Sequence, residues 1–337
     1  MSHVLVKKSL LTIADGDAAP EVDAPTRKII DHLEANPFLD PENMSPAEMR
    51  EAFDAYYATV DLPPAPVQAE DMDFKGRGGA IRARIYHPTG DRTSKLPVIL
   101  FIRGGGLVMG SFSSYDGVCR RICQASQSIV VTIDYRQPPE HRHPAALEDC
   151  HDALQWIRKS ADDFGGDSSR VAISGDSGGG MLAAVVTHLV RDNGEPALDY
   201  QALIYPAVGT RGDAKSMEEF AEGYVFDPMQ LDWLYDQYLA DPSQRNDPQV
   251  SPIFCDNLSD LPPALVVTAH FDIFRDDAEN YGRLMAQAGT SVEIKRYPTV
   301  IHGFIQMGRF VPAAGEALDY CGARLAEAFE KANASAV

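Results

Sequence analysis

The sequence predicts an α/β architecture, a mostly parallel sheet covered by helices on both faces. From about residue 96 onward, short β-rich runs alternate with helix-like stretches, the pattern of parallel strands that return through helices. A chain of 337 residues is long enough for one large domain of this kind with an appendage. Finally, Gly175-Asp176-Ser177-Gly178-Gly179 follows the apolar run Val171-Ala172-Ile173-Ser174 and precedes a long helix-prone stretch. A serine therefore falls where a strand must turn abruptly into a helix.

The first sixty residues differ from this alternation. Residues 24–35 and 45–59 read as helices, the second opening Ser45-Pro46-Ala47-Glu48 with capping-box spacing and proline at the first helical position. Leu62-Pro63-Pro64-Ala65-Pro66 then makes a stiff extended connector. Residues 71–75 and 80–86, around Gly76-Arg77-Gly78-Gly79, form an antiparallel hairpin at the sheet edge. The expected strands that follow are 98–102, 129–134, 171–174, 202–205, 264–269 and 292–297. The expected helices are 145–160, 181–191, 276–288 and 314–331, several closed by Gly or Asn. Residues 209–241 break the alternation with an acidic loop followed by Tyr224, Phe226, Trp233, Tyr235 and Tyr238 around Asp227-Pro228. With the N-terminal helices this segment could form a lid above the sheet, or a layer that only covers core.

Thirty basic residues against 49 acidic ones give a net charge of −19, which argues against nucleic acid and anionic lipid as partners. No apolar run approaches membrane-spanning length, so no membrane insertion is expected. Residues 1–19 carry only the short apolar Ser9-Leu10-Leu11-Thr12-Ile13 and lack the core of a signal peptide. The five cysteines, Cys119, Cys123, Cys150, Cys255 and Cys321, form no C-x-x-C pair and read as buried free thiols, Cys119 and Cys123 sharing one helix face. A reducing cytoplasm fits this usage.

Ser177 requires a base and a carboxylate to orient it, because a serine hydroxyl is a poor nucleophile at neutral pH. In α/β sheets functional groups gather beyond the carboxyl ends of the strands. The run at 264–269 leads into His270-Phe271-Asp272, making Asp272 the orienting acid, whereas Asp276 and Asp277 suit the opening turn of the next helix. The strand at 292–297 leads through Pro298 to His302-Gly303-Phe304, making His302 the base. His188 lies in a helix-like run, His141 and His143 flank prolines, and His270 sits on or near its strand. Gly104-Gly105-Gly106, at the end of the strand 98–102, offers backbone donors for the oxyanion of a tetrahedral intermediate. Gly105, Gly106 and Gly178 are the preferred donors, and Gly104 either joins them or shapes the turn. No phosphate-binding loop or metal-ligand cluster is apparent, so neither a cofactor nor a metal is expected.

These residues resemble the bacterial hormone-sensitive-lipase-like esterases of the α/β-hydrolase superfamily. Gly175-Asp176-Ser177-Gly178-Gly179-Gly180 is similar to their nucleophile motif, and Asp134-Tyr135-Arg136-Gln137-Pro138-Pro139-Glu140-His141 to their post-strand segment. Asp272-Ile273-Phe274-Arg275-Asp276 and His302-Gly303-Phe304 complete the set. The resemblance implies an α/β-hydrolase domain over residues 67–337, with a helical cap built from residues 1–66 and an insertion at 209–241. It also admits a homodimer. Two positions depart from the family pattern. Arg103 stands where the family has histidine before its three glycines, and it either braces the loop or faces the pocket and attracts an anionic substrate. Gln137-Pro138 replaces the usual Leu-Ala, and the sequence offers no reason for it.

The expected activity is a serine carboxylesterase acting on short-chain, small-molecule esters through an acyl-enzyme on Ser177. A ligand-binding protein on the same fold is the alternative from another class, and a peptidase or amidase using the same three residues is the nearer one.

Overall fold

The computed structural model describes residues 10–15, 21–90, 94–209 and 214–335. The remaining parts of the expected cap segments, and most of the residues 1–19 read for a signal peptide, lie outside the described residues. Among the described residues nine strands form one sheet: β1 (Leu11–Asp15), β2 (Gln68–Gly76), β3 (Gly79–His87), β4 (Leu96–Ile102), β5 (Ile129–Ile133), β6 (Gly166–Asp176), β7 (Gln201–Ile204), β8 (Ala264–Phe271) and β9 (Val292–Ile301). Their order is β1-β9-β8-β7-β6-β4-β5-β3-β2. The β2–β3 and β3–β5 pairings are antiparallel and all others parallel, so the carboxyl ends of β4, β6, β8 and β9 share one edge of the sheet.

The helices are α1 (Ala24–Ala35), α2 (Pro46–Val60), α3 (Asp116–Ser126), α4 (Ala145–Ser160), α5 (Ser177–Asp192), α6 (Lys215–Glu219), α7 (Pro228–Tyr238), α8 (Arg275–Gln287) and α9 (Pro312–Ser335). Strand periodicity divides the core in two. Along β4, Ile99 and Phe101 pack with α1, α2, α3 and α9, whereas Val98, Leu100 and Ile102 pack with α4, α5 and α8. The local signals at α2 are realised as chemistry. Ser45 accepts the Glu48 amide while Glu48 accepts the Ser45 amide at 2.8 Å, and Pro46 opens the helix.

Three differences from the sequence reading bear on function. The N-terminal segment is not wholly helical, because residues 11–15 pair in parallel with β9 at the sheet edge. Five residues carry too little periodicity to reveal a strand whose partner is almost three hundred positions away. Strand β6 and helix α5 meet without a loop, so Ser177 is itself the first helical residue. Strand β9 continues through Pro298 to Ile301 and delivers His302 directly at its end. Cys119, Cys123, Cys150 and Cys321 are buried free thiols and Cys255 is half-buried.

Candidate active site

Ser177 has a φ of +54°, a left-handed conformation costly for any residue with a side chain, on the order of 1–2 kcal/mol. The cost is tolerated because the turn is locked by close packing around it. A Cβ on Gly179 would lie 2.2 Å from the Ile102 carbonyl oxygen, and one on Gly175 would lie 2.5 Å from the Gly179 carbonyl oxygen. The two glycines thus let the first turn of α5 press against the end of β4, and the serine hydroxyl projects from the bend.

The structure brings the three candidate side chains together. His302 Nε2 lies 2.8 Å from Ser177 Oγ, and His302 Nδ1 lies 2.7 Å from Asp272 Oδ2. The other carboxylate oxygen of Asp272 accepts the Phe274 amide at 2.9 Å, and the residue is 2% exposed, so the acid is oriented from both sides. This geometry suits a neutral imidazole that donates from Nδ1 to Asp272 and accepts the serine proton at Nε2. Tyr205, Phe274 and Phe226 pack their rings 4.7, 5.1 and 5.5 Å from the imidazole. His188, by contrast, is bonded to the Tyr281 hydroxyl at 2.8 Å inside α5, and burial lowers its pKa to about 4.

The glycines after Arg103 differ in what their amides meet. The Gly104 amide donates to Asp176 Oδ1 at 2.8 Å, so it is engaged and unavailable to a substrate oxygen. Gly105, Gly106 and Gly178 line the cavity beside Ser177, with Gly105 and Gly106 at φ of +83° and +61°. Gly178 also stands in the first turn of α5, where amides have no partner within the helix. Asp176 organises this region from below: its carboxylate also accepts the Tyr115 hydroxyl at 3.1 Å and lies 3.5 Å from the Tyr205 hydroxyl. Burial pushes its pKa up to about 6, against the lowering effect of these hydrogen bonds.

Arg103 does not face the pocket. It is fully buried, donates to the Met109 carbonyl at 3.2 Å and to Asp134 Oδ1 at 2.8 Å, and stacks 4.3 Å from the centre of the Tyr135 ring. The Tyr135 hydroxyl returns a bond to the Arg103 carbonyl at 3.0 Å. Gln137, unexplained in the sequence, donates from Nε2 to the same Met109 carbonyl at 2.9 Å. Both departures from the family pattern therefore converge on one loop and brace it. Arg50 on α2 adds a third support, donating to the Val108 carbonyl at 2.8 Å and pairing with Glu140. No local signal marks Arg50, because its partners are 58 and 90 residues away.

Ser177 and His302 open into a cavity of about 420 Å³. Its walls come from α1 and α2 (Leu33, Phe53, Tyr57), from Phe38, and from residues 221–238, including Phe226 and Leu234. The charged lining residues other than Asp176 are Glu34, Glu222 and Asp227, and among the described residues no lysine or arginine lines it. Among the described residues, too, no group of three or more His, Cys, Asp or Glu side chains could hold a metal ion, and no helix is long and apolar enough to cross a membrane.

Comparison with known proteins agrees with this architecture. A family model for the alpha/beta hydrolase fold matches residues 99–306. Esterase LipI of Mycobacterium tuberculosis is 38% identical over 263 residues, which cover 76% of this chain and 82% of the relative. Ethyl acetate hydrolase of Pseudomonas putida is 34% identical over 253 residues, 74% of this chain and 79% of the relative. The crystal structure of a hyperthermophilic esterase from Pyrobaculum calidifontis superposes with a TM-score of 0.85 at 38% identity, covering 91% of this chain and 98% of that one. The parallel sheet, the turn at Ser177 and these relatives lead to one conclusion: the chain belongs to the hormone-sensitive-lipase-like esterases of the alpha/beta hydrolase fold and is a serine ester hydrolase.

Proposed function

We propose that the chain hydrolyses short-chain carboxylic esters through an acyl-enzyme on Ser177. His302 takes the serine proton as Oγ attacks the ester carbonyl, and Asp272 holds the imidazole in the required tautomer. The amides of Gly105, Gly106 and Gly178 receive the developing oxyanion. His302 then protonates the departing alcohol and activates the water that releases the acid. The observation that carries this reading is the chain of contacts from Asp272 through His302 to Ser177, 2.7 and 2.8 Å long, with Ser177 and His302 lining the cavity.

Within the expected cap ranges, α1, α2 and α7 form the cap in this reading, supported by their contributions to the cavity wall. The small apolar cavity and the resemblance to an ethyl acetate hydrolase favour short, uncharged esters. Acidic esters are disfavoured, because the lining includes Glu34, Glu222 and Asp227 while Arg103 is buried. The free thiols support a cytoplasmic enzyme, and the family resemblance supports a homodimer. Replacing the nucleophile, Ser177→Ala, should reduce turnover of a short-chain nitrophenyl ester by about 10⁴-fold or more. Full activity in that variant would remove Ser177 from the mechanism.

A further inference from the structure

Several tyrosine hydroxyls near Ser177 are engaged by protein groups. Tyr115 and Tyr205 direct their hydroxyls at Asp176, and Tyr135 donates to the carbonyls of Arg103 and Gly104. Tyr57, on α2, is 3% exposed and has its ring held at 5.8, 4.4 and 5.1 Å from those of Phe38, Phe53 and Tyr56. Its hydroxyl has no hydrogen-bond partner among the described residues. Tyr57 lines the cavity, so its uncommitted O–H is available to donate to a ligand atom there.

The position of this hydroxyl bears on which ligand atom it meets. Tyr57 lines the same cavity as Ser177 and His302, and its oxygen lies 3.4 Å from the point where a Cβ on Gly303 would stand. This places it beside the residue that follows His302, in the cavity shared with Ser177. In acyl transfer the histidine that takes the serine proton gives it to the leaving oxygen, so the alcohol oxygen of the ester sits toward His302. Burial raises the phenol pKa well above its ordinary value, so the group is an O–H donor at any working pH.

Resting on the Ser177 reading above, we propose that the Tyr57 hydroxyl is a further catalytic group that hydrogen-bonds the alcohol oxygen of the ester as it departs. Ser177 Oγ forms its bond to the carbonyl carbon and passes its proton to His302. The carbon–oxygen bond to the alcohol breaks with its electron pair staying on that oxygen, which then takes the proton from His302. Tyr57 keeps its own proton throughout and stabilises the charge that builds on the leaving oxygen. The favoured substrates are consequently esters of simple alkanols, whose alkoxides leave poorly and profit most from such a donor.

The test is Tyr57→Phe, which removes one oxygen atom, assayed on ethyl acetate and 4-nitrophenyl acetate. Both give the same acyl-enzyme, so kcat/KM isolates the leaving group. The expected loss is about tenfold on ethyl acetate and less than about twofold on the nitrophenyl ester, whose phenolate leaves without help. The ratio of the two values does not depend on the fraction of folded enzyme. An unchanged ratio, whether from equal losses or from none, overturns the role of Tyr57. Failure of the unaltered enzyme to hydrolyse either ester would instead overturn the Ser177 chemistry on which the role rests.

Discussion

Arg103 reaches two ways from the end of β4, to the Met109 carbonyl within the oxyanion loop and to Asp134 at the end of β5. A planar guanidinium can serve both directions while its face lies on Tyr135, and a histidine offers only two nitrogen donors for the same span. Gln137 doubles the hold on Met109, which explains why the two unusual residues occur together in the structure. Because Arg103 supports the loop from behind, Arg103→Met should slow turnover by about tenfold to a hundredfold through misplaced oxyanion donors. The loss should be uniform across neutral and acidic esters, measured as an unchanged ratio of their kcat/KM values. A selective loss on acidic esters would mean that the side chain reaches substrate.

At the level of the element, the strand-to-helix turn holds Ser177 in place because backbone from two directions is forced together. Gly179 permits α5 to approach the end of β4, and a methyl group there meets the carbonyls of Ile102 and Arg103 at 2.2 and 2.5 Å. Gly179→Ala should destabilise the protein by about 1–3 kcal/mol in a denaturant titration, since neither carbonyl can move without shifting a central strand. Gly315 in α9 makes the informative contrast, because the nearest atom to its added Cβ is 3.9 Å away. Gly315→Ala should stabilise by about 0.5–1 kcal/mol. Equal effects of the two substitutions would refute the packing explanation for the turn. The motif's glycines are legible from sequence as a group, but their unequal steric demands depend on β4, some seventy residues upstream.

Across the whole molecule, the acidic balance and the buried carboxylates tie stability to pH. Asp61, at the end of α2, accepts the amides of Leu62 at 2.7 Å and Gly117 at 3.0 Å, yet burial raises its pKa from 3.8 to about 6. The folded-state value lies above the unfolded one, so the carboxyl's contribution is complete below about pH 4 and is lost as pH rises through about 6. Asp61→Asn should therefore gain stability relative to the unaltered protein between pH 5 and 7.5, by on the order of 2 kcal/mol. A difference in unfolding free energy that stays constant over this range would count against the shift. The α/β alternation, the sheet-edge hairpin, the capped helix α2 and the positions of Ser177, Asp272 and His302 after their strands were all legible along the chain. They depend on local periodicity, turn chemistry and the rule that strand ends gather function, each of which acts over a few residues. The pairing of residues 11–15 with β9, the engagement of Gly104 by Asp176, the inward turn of Arg103 and the free hydroxyl of Tyr57 were not legible. Each depends on contacts between segments tens to hundreds of residues apart, and no local pattern records which of the available partners a side chain or amide meets once the core has closed.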